Sequence, residues 1–181
     1  KTIISFADQI KYYIVGVGSN LMVRDQGFDG VVIKLGRNFN NIKIKNNTLS
    51  VGAGVLDINL AKFATINSIK DFEFFTGIPG TIGGAVKMNA GCYGSQTSDN
   101  LKRVLVINKF GKIQYLNIED LKLRYRSSHL PEESIVLQAD FKCKYASQSE
   151  IIKKNNSIKS RREISQPIKE KTSGSTFKNP P

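Results

Sequence analysis

Gly77-Ile78-Pro79-Gly80-Thr81-Ile82-Gly83-Gly84-Ala85-Val86-Lys87-Met88-Asn89-Ala90-Gly91-Cys92-Tyr93-Gly94 is the stretch on which the reading of this chain turns. Its six glycines cost chain entropy unless many backbone positions are constrained. Ile78, Ile82, Val86 and Met88 are too apolar for a solvated surface loop. Pro79-Gly80 is a turn signal in which glycine is free to take positive φ. Thr81 is placed to cap the segment after it. Gly83-Gly84 lets the backbone pack against a flat, bulky partner, and Asn89 offers both an amide donor and a carbonyl. The stretch therefore reads as a long ligand-contacting loop.

A second glycine loop lies upstream. Gly16-Val17-Gly18-Ser19-Asn20 follows the β-branched and aromatic run Tyr12-Tyr13-Ile14-Val15, a context in which successive main-chain N–H groups converge on an anion. It is not a Rossmann fingerprint. Leu21 stands where the third glycine belongs, and Gly36-Arg37-Asn38 where the ribose-binding acid belongs. Gly111-Lys112 lacks the rest of a Walker loop.

Around these loops the elements alternate. Val31 to Leu35, after Gly30, predicts a strand, and Asn46-Asn47 predicts a hairpin turn between Ile42–Ile44 and Leu49–Val51. Leu56, Leu60, Phe63 and Ala64 form one helical face, with Asp57 favourable to the helix dipole in its first turn. Val104–Ile107, Ile113–Leu116 and Ser134–Leu137 predict strands. A capping box, Ser147-x-x-Glu150, opens a helix from about Ser149 to Arg162, and Pro167 ends regular structure. The class is α+β. Seams are expected near 35–50 and 163–172.

The chain has 181 residues, 40% hydrophobic and 23% charged, which excludes disorder. No apolar run approaches the ~20 residues of a transmembrane helix, and no signal peptide opens it. The first residue is Lys1 and the last three are Asn179-Pro180-Pro181, so the chain reads as a cytoplasmic piece of something longer. Its net charge is +12. Ten basic residues face Glu150, Glu163 and Glu170 from Lys142 onward, which reads as a solvated helical face rather than a nucleic-acid surface, since aromatics do not interleave with it. Cys92 and Cys143 are widely separated free thiols, and His129 is the only histidine. No metal site and no histidine-based triad is expected, and Ser173 breaks the G-x-S-x-G elbow around Ser175.

Five motifs in order carry a resemblance: Gly16-x-Gly18-Ser19-Asn20; Gly77-Ile78-Pro79-Gly80-x-x-Gly83-Gly84; Asn89-Ala90-Gly91-x-Tyr93-Gly94; Tyr125-Arg126-x-Ser128; and Gly174-Ser175-x-Phe177-Lys178-Asn179-Pro180. Together they resemble the UDP-N-acetylenolpyruvoylglucosamine reductase family, within the p-cresol methylhydroxylase/vanillyl-alcohol oxidase (PCMH/VAO)-type FAD-binding superfamily. The resemblance implies a PCMH/VAO-type FAD-binding fold of two α/β subdomains with only the start of a C-terminal substrate-binding domain. The divisions would be 1–35 for a partial first subdomain, 36–162 for the second, and 163–181 for the truncated third.

By that resemblance FAD is held non-covalently and NADPH is the hydride donor. The enolpyruvyl ether of a UDP-sugar is reduced for peptidoglycan synthesis. Gly16, Val17, Gly18, Ser19, Asn20 and Leu21 would hold the pyrophosphate. Gly77, Ile78, Pro79, Gly80, Gly83, Gly84, Asn89 and Gly91 would line the isoalloxazine and the remaining pyrophosphate contacts. Arg126 matches the family arginine that would meet charge developing on the substrate carboxylate, where a bidentate guanidinium suits better than lysine. Ser175 matches the serine general acid, Asn179 would be a substrate contact, and Tyr125 would neighbour flavin and substrate. His129 has no role in the pattern, and Cys92 is a small packed side chain. The family's C-terminal catalytic glutamate has no counterpart here. The expectation is a monomer that binds FAD without useful turnover, with no nucleic-acid or membrane partner. The competing readings are another FAD oxidoreductase of this superfamily and a basic nucleic-acid module with salt-sensitive binding.

Overall fold

Asn46 and Asn47 take φ of 49° and 56°, the two positive values a type I′ turn requires and asparagine tolerates. They close the hairpin of β3 (Ile42–Lys45) and β4 (Thr48–Gly52) with Lys45 opposite Thr48. In this computed structural model, which describes residues 10–166, that hairpin is one edge of a five-stranded antiparallel sheet. Two further strands, β1 (Tyr12–Val15) and β2 (Val31–Lys34), pair parallel in a small sheet of their own. The short hairpin β5 (Gly91–Cys92) and β6 (Ser95–Gln96) makes a third.

The large sheet has the order β3-β4-β9-β7-β8, completed by β7 (Leu101–Ile107), β8 (Ile113–Asn117) and β9 (Ile135–Lys142). One face is apolar. Leu49 and Val51 stand opposite Phe141 and Ala139 of β9, which in turn oppose Leu101 and Val104 of β7, and all six are buried. β9 runs five residues past the expected end at Leu137, for Gln138 and Asp140 break the apolar run of the sequence but not the strand. Asp140 is buried yet matched. Arg103 Nε lies 2.8 Å from its Oδ2, and Gln138 Nε2 donates to Oδ1 at 2.8 Å.

Helices cover the apolar face. α1 (Asp57–Ile66) packs against a 3₁₀ turn, Glu73–Gly77, and α2 (Ile82–Lys87) lies on β9 and β4. Phe72, Phe75 and Phe141 meet at ring-centroid distances of 5.5 to 6.4 Å. A one-turn helix, α3 (Ile118–Leu121), follows β8, and the long α4 (Gln148–Ser165) closes the described chain. Ser147 caps α4 as expected, its Oγ accepting from Glu150 N at 3.3 Å. Ile151 and Ile158 are its buried side chains, and Asn155 between them bonds Thr65 and Thr76 hydroxyls at 2.9 Å each. The remaining surface of α4, with Lys153, Lys159 and Arg161, is exposed. No helix among the described residues is long and apolar enough to cross a membrane.

The small sheet reaches the large one through a separate cluster. Ile107 of β7 and Ile135 of β9 are buried against Tyr12, Ile14, Ile33, Leu35 and Leu137. Tyr12 Oη also donates to Glu133 O. The stretch from 77 to 94 departs from expectation, for it is not one long loop but a turn, α2 and the β5–β6 hairpin. Glycines within it make close main-chain packing possible rather than flexibility.

Candidate functional site

The two glycine loops meet. A Cβ at Gly16 would overlap Thr81 Oγ1, so the end of β1 touches the start of α2 because residue 16 has no side chain. Thr81 occupies the N-cap position but makes no side-chain cap, which corrects the expected capping role. Its hydroxyl faces Gly16 instead. Beyond the contact the first loop is open. Gly18 takes φ 80°, and a Cβ there would meet nothing within 4 Å, while Ser19 and Asn20 are exposed. The N–H groups of Gly18, Ser19 and Asn20 donate to no main-chain carbonyl among the described residues. Unpaired donors on a turn with a positive-φ residue form the concavity in which anions bind.

The second loop is held from behind. Ile82 N donates to Val55 O at 3.0 Å and Gly83 N to Ala53 O at 2.9 Å. A side chain at Gly83 would lie 3.1 Å from Ala53 Cβ, whereas Gly84 meets only Thr81 Oγ1, at 3.7 Å. The pair therefore divides its work, Gly83 packing inward and Gly84 facing outward. Gly80 does not take the positive φ expected of it. Its lack of a Cβ serves proximity, since that atom would sit 2.5 Å from Asp57 Oδ2. Asp57 itself is wholly buried, with neither carboxylate oxygen partnered among the described residues. Burial pushes its carboxyl up to about 8. The sequence pattern places Leu56 on the apolar face and gives Asp57 only a first-turn position that suits the helix dipole. In the structure Leu56 is the extended N-cap residue, bridged to Thr81, so the inward stripe is Asp57, Leu60, Ala61 and Ala64.

A cleft of about 380 Å³ opens beside the β5–β6 hairpin, lined by Gly91, Cys92, Gln96, Asp99, Tyr125 and Arg126 among others. Tyr125 and Arg126 are the two central residues of a tight turn. Arg124 N donates to Ser127 O at 3.0 Å and Ser127 N to Arg124 O at 3.1 Å. Arg126 carries φ of 54°, a value that favours glycine or asparagine at this place in a turn. Its Nη2 donates to Gly91 O at 2.8 Å, and its guanidinium lies 4.9 Å from the Tyr125 ring centroid. No carboxylate among the described residues pairs with it as an ion pair.

Asn89 is a pin rather than an open amide. It is buried at φ 40°. Its Nδ2 donates to Gln96 Oε1 and to Arg124 O, at 3.1 and 3.2 Å, while Oδ1 accepts from Ser98 N at 3.0 Å. These bonds tie the β5–β6 hairpin to the turn that carries Arg126, and they engage both the donor and the carbonyl of the side-chain amide. Cys92 is packed, its Sγ donating to Phe74 O at 3.3 Å, and burial pushes the thiol up to about 11. His129 is exposed and lies outside the cleft lining. Gly77 packs over Cys92 and Tyr93, Ile78 is half-buried and Pro79 exposed. Val17 and Leu21 present apolar side chains at 46% and 41% exposure beside the open first loop. Ser175 and Asn179 lie outside the described residues. Sequence reasoning missed Asp57, Gln96 and Asp99, since polar residues in a helical register or a hairpin carry no linear mark of what they face.

Comparison with known proteins bears on this geometry. Residues 1–117 match the family model described as an FAD binding domain. The chain is 48% identical over 165 residues to UDP-N-acetylenolpyruvoylglucosamine reductase from Rickettsia conorii, covering 91% of this chain and 56% of that protein. The same identity and coverage hold for the Rickettsia typhi reductase. The chain thus spans about half the length of the curated relatives it matches. A crystal structure of the Thermus caldophilus reductase superposes with a TM-score of 0.87 at 37% identity, over 96% of this chain and 63% of that one. 6-Hydroxy-D-nicotine oxidase from Arthrobacter nicotinovorans, at 19% identity and TM-score 0.59 over 78% of this chain and 33% of that one, shares the fold. The chain belongs to the FAD-binding domain family.

Proposed function

We propose that this chain is the flavin-binding portion of an NADPH-dependent UDP-N-acetylenolpyruvoylglucosamine reductase acting in the cytoplasm, divided into subdomains at 1–35 and 36–162 with 163–181 leading into a substrate-binding part. The residues present fit FAD. The amides of Gly18–Asn20, which donate to no main-chain carbonyl among the described residues, suit a pyrophosphate, and the open side of Gly84 allows a flat group to approach. Apolar Val17 and Leu21 border the same loop. When bound, the flavin supplies hydride chemistry.

This chain's own part is to bind, orient and stabilise charge. The observation that carries the reading is Arg126, an arginine held at positive φ by a closed turn, its guanidinium lining the cleft without an ion pair among the described residues. A strained non-glycine residue costs of order 1–3 kcal/mol and persists where the surroundings over-determine it. The bond to Gly91 O uses Nη2 and leaves the other guanidinium N–H groups for a carboxylate of an enolpyruvyl substrate. Ser175 is the proposed proton donor and Asn179 a substrate contact, with Tyr125 beside the reacting groups.

The test is the visible absorption spectrum of the purified chain, before and after FAD addition and desalting. Flavin bands retained after desalting support the reading. A folded, colourless protein after reconstitution overturns it for this chain. NADPH oxidation dependent on the enolpyruvyl UDP-sugar, measured with the longer protein, then distinguishes the reductase from a flavin oxidase.

A further inference from the structure

Asp57 is out of place for an ordinary helix-first-turn acid. It is 0% exposed, and both carboxylate oxygens lack hydrogen-bond partners among the described residues. Its position is that of a keystone between the two glycine loops. Its N–H donates to Gly80 O at 3.1 Å, and its carboxyl packs directly on the Cα of Gly80. The preceding Leu56 bridges Thr81, and Thr81 Oγ1 is the group that touches Gly16. Any displacement of the carboxyl is therefore passed through Gly80 and Thr81 to the first loop.

We propose that Asp57 is a positioning residue of the cofactor junction: its un-ionised carboxyl lets α1 seat against the Gly80–Thr81 turn, and loss of its proton to alkaline solvent drives the turn off α1 and weakens FAD retention. This rests on the reading of residues 16–21 and 77–84 as FAD loops. The physical cause is that a carboxylate without donors is strongly disfavoured in a dry environment, so the anion draws in water or moves toward it. The surrounding described elements give it no compensating cation. Cys92 of β5 is in Coulombic reach, and Arg126 and Arg162 act on that thiol. Lys159, Arg162 and Glu163 of α4 line a neighbouring cleft with Ile58 and Gly77. The turn itself contributes only the Thr81 hydroxyl. Desolvation alone accounts for the raised carboxyl, at about 8.

Two measurements on the purified chain test this between pH 6 and 10: hydrogen exchange of peptides covering 77–84, corrected for intrinsic rates, and FAD affinity by flavin fluorescence. The wild type is expected to lose protection in 77–84 with a midpoint near pH 8, while β4 and β9 peptides stay protected. FAD Kd is expected to rise by up to about tenfold per pH unit above that midpoint. Asp57→Asn is expected to show neither transition, with Asp57→Ser as the substitute if the amide prevents folding. A flat wild-type exchange profile overturns the proposal whatever the variants do, as does a transition that both variants retain. An exchange transition confined to the wild type, in a protein that binds no FAD at any pH, supports the role of Asp57 in the junction and overturns the cofactor reading instead.

Discussion

Arg126 combines two properties that are individually unfavourable. Its backbone sits at φ 54°, and its guanidinium is tied to the main chain of the hairpin through Gly91 O, with no carboxylate among the described residues to neutralise it. A residue kept only for the turn would be better as glycine, which loses nothing at that φ. The side chain is thus what the position retains. Lysine would keep the charge and the backbone but lose the planar fork that meets two carboxylate oxygens at once. Arg126→Lys in the longer, turning-over protein is expected to lower kcat by about 10²–10³-fold, the scale on which a lost charge-stabilising donor acts. FAD should still be retained after desalting, since of the residues read as flavin-facing Arg126 donates to Gly91 O alone among the described residues. Unaltered kcat would remove Arg126 from the reaction. Asn89 stands behind it, joining the hairpin to the turn through Gln96, Ser98 and Arg124.

The elements differ in how much of their stability is local. β3 and β4 depend on a two-residue turn whose φ values both lie in the left-handed region. Asn47→Val places a β-branched side chain there and is expected to cost about 1–2 kcal/mol in urea unfolding, with the m-value unchanged. α4 has few buried anchors along its 18 residues, so its start matters. Ser147→Ala is expected to cost about 1 kcal/mol and to raise exchange in the first turn of α4 before anywhere else. Both features are legible in sequence, since Asn-Asn and Ser-x-x-Glu act on their own neighbours. The end of β9 and the inward face of α1 are not. Asp140 enters the strand because Arg103 and Gln138, one from another strand, satisfy it, and Asp57 turns inward because Leu56 is drawn into the bridge with Thr81. Such positions are decided by partners distant in sequence. The same distinction runs through the candidate site. Arg126 and the glycine loops carry linear motifs, whereas the distribution of close approaches, with Gly83 inward and Gly84 outward, exists only in three dimensions.

At the scale of the molecule, two sheets are joined at a small apolar seam, Ile107 and Ile135 against Tyr12, Ile14 and Ile33. Ile135→Ala is expected to lower exchange protection of 11–15 and 31–34 well before that of β4, because local openings follow contiguous packed units; simultaneous loss throughout would make the two sheets one cooperative unit. Global stability carries a second signature, from the buried carboxyl behind the loops. Asp57 rises from 3.8 to about 8 on folding. Below its unfolded value the group is protonated in both states and costs nothing. Between the two values the folded protein holds a proton the unfolded chain has released, so stability falls as pH rises. Above about 8 both states are ionised and the penalty stays at its full size, of order several kcal/mol. Asp57→Asn cannot titrate. Its unfolding free energy minus that of the wild type should therefore climb from pH 4 to pH 8 and level off beyond, in urea titrations made at each pH. The difference cancels every other titrating group that the two proteins share. A constant offset between the two profiles would mean that Asp57 is ionised in the folded protein across the range, and that an unobserved donor satisfies it.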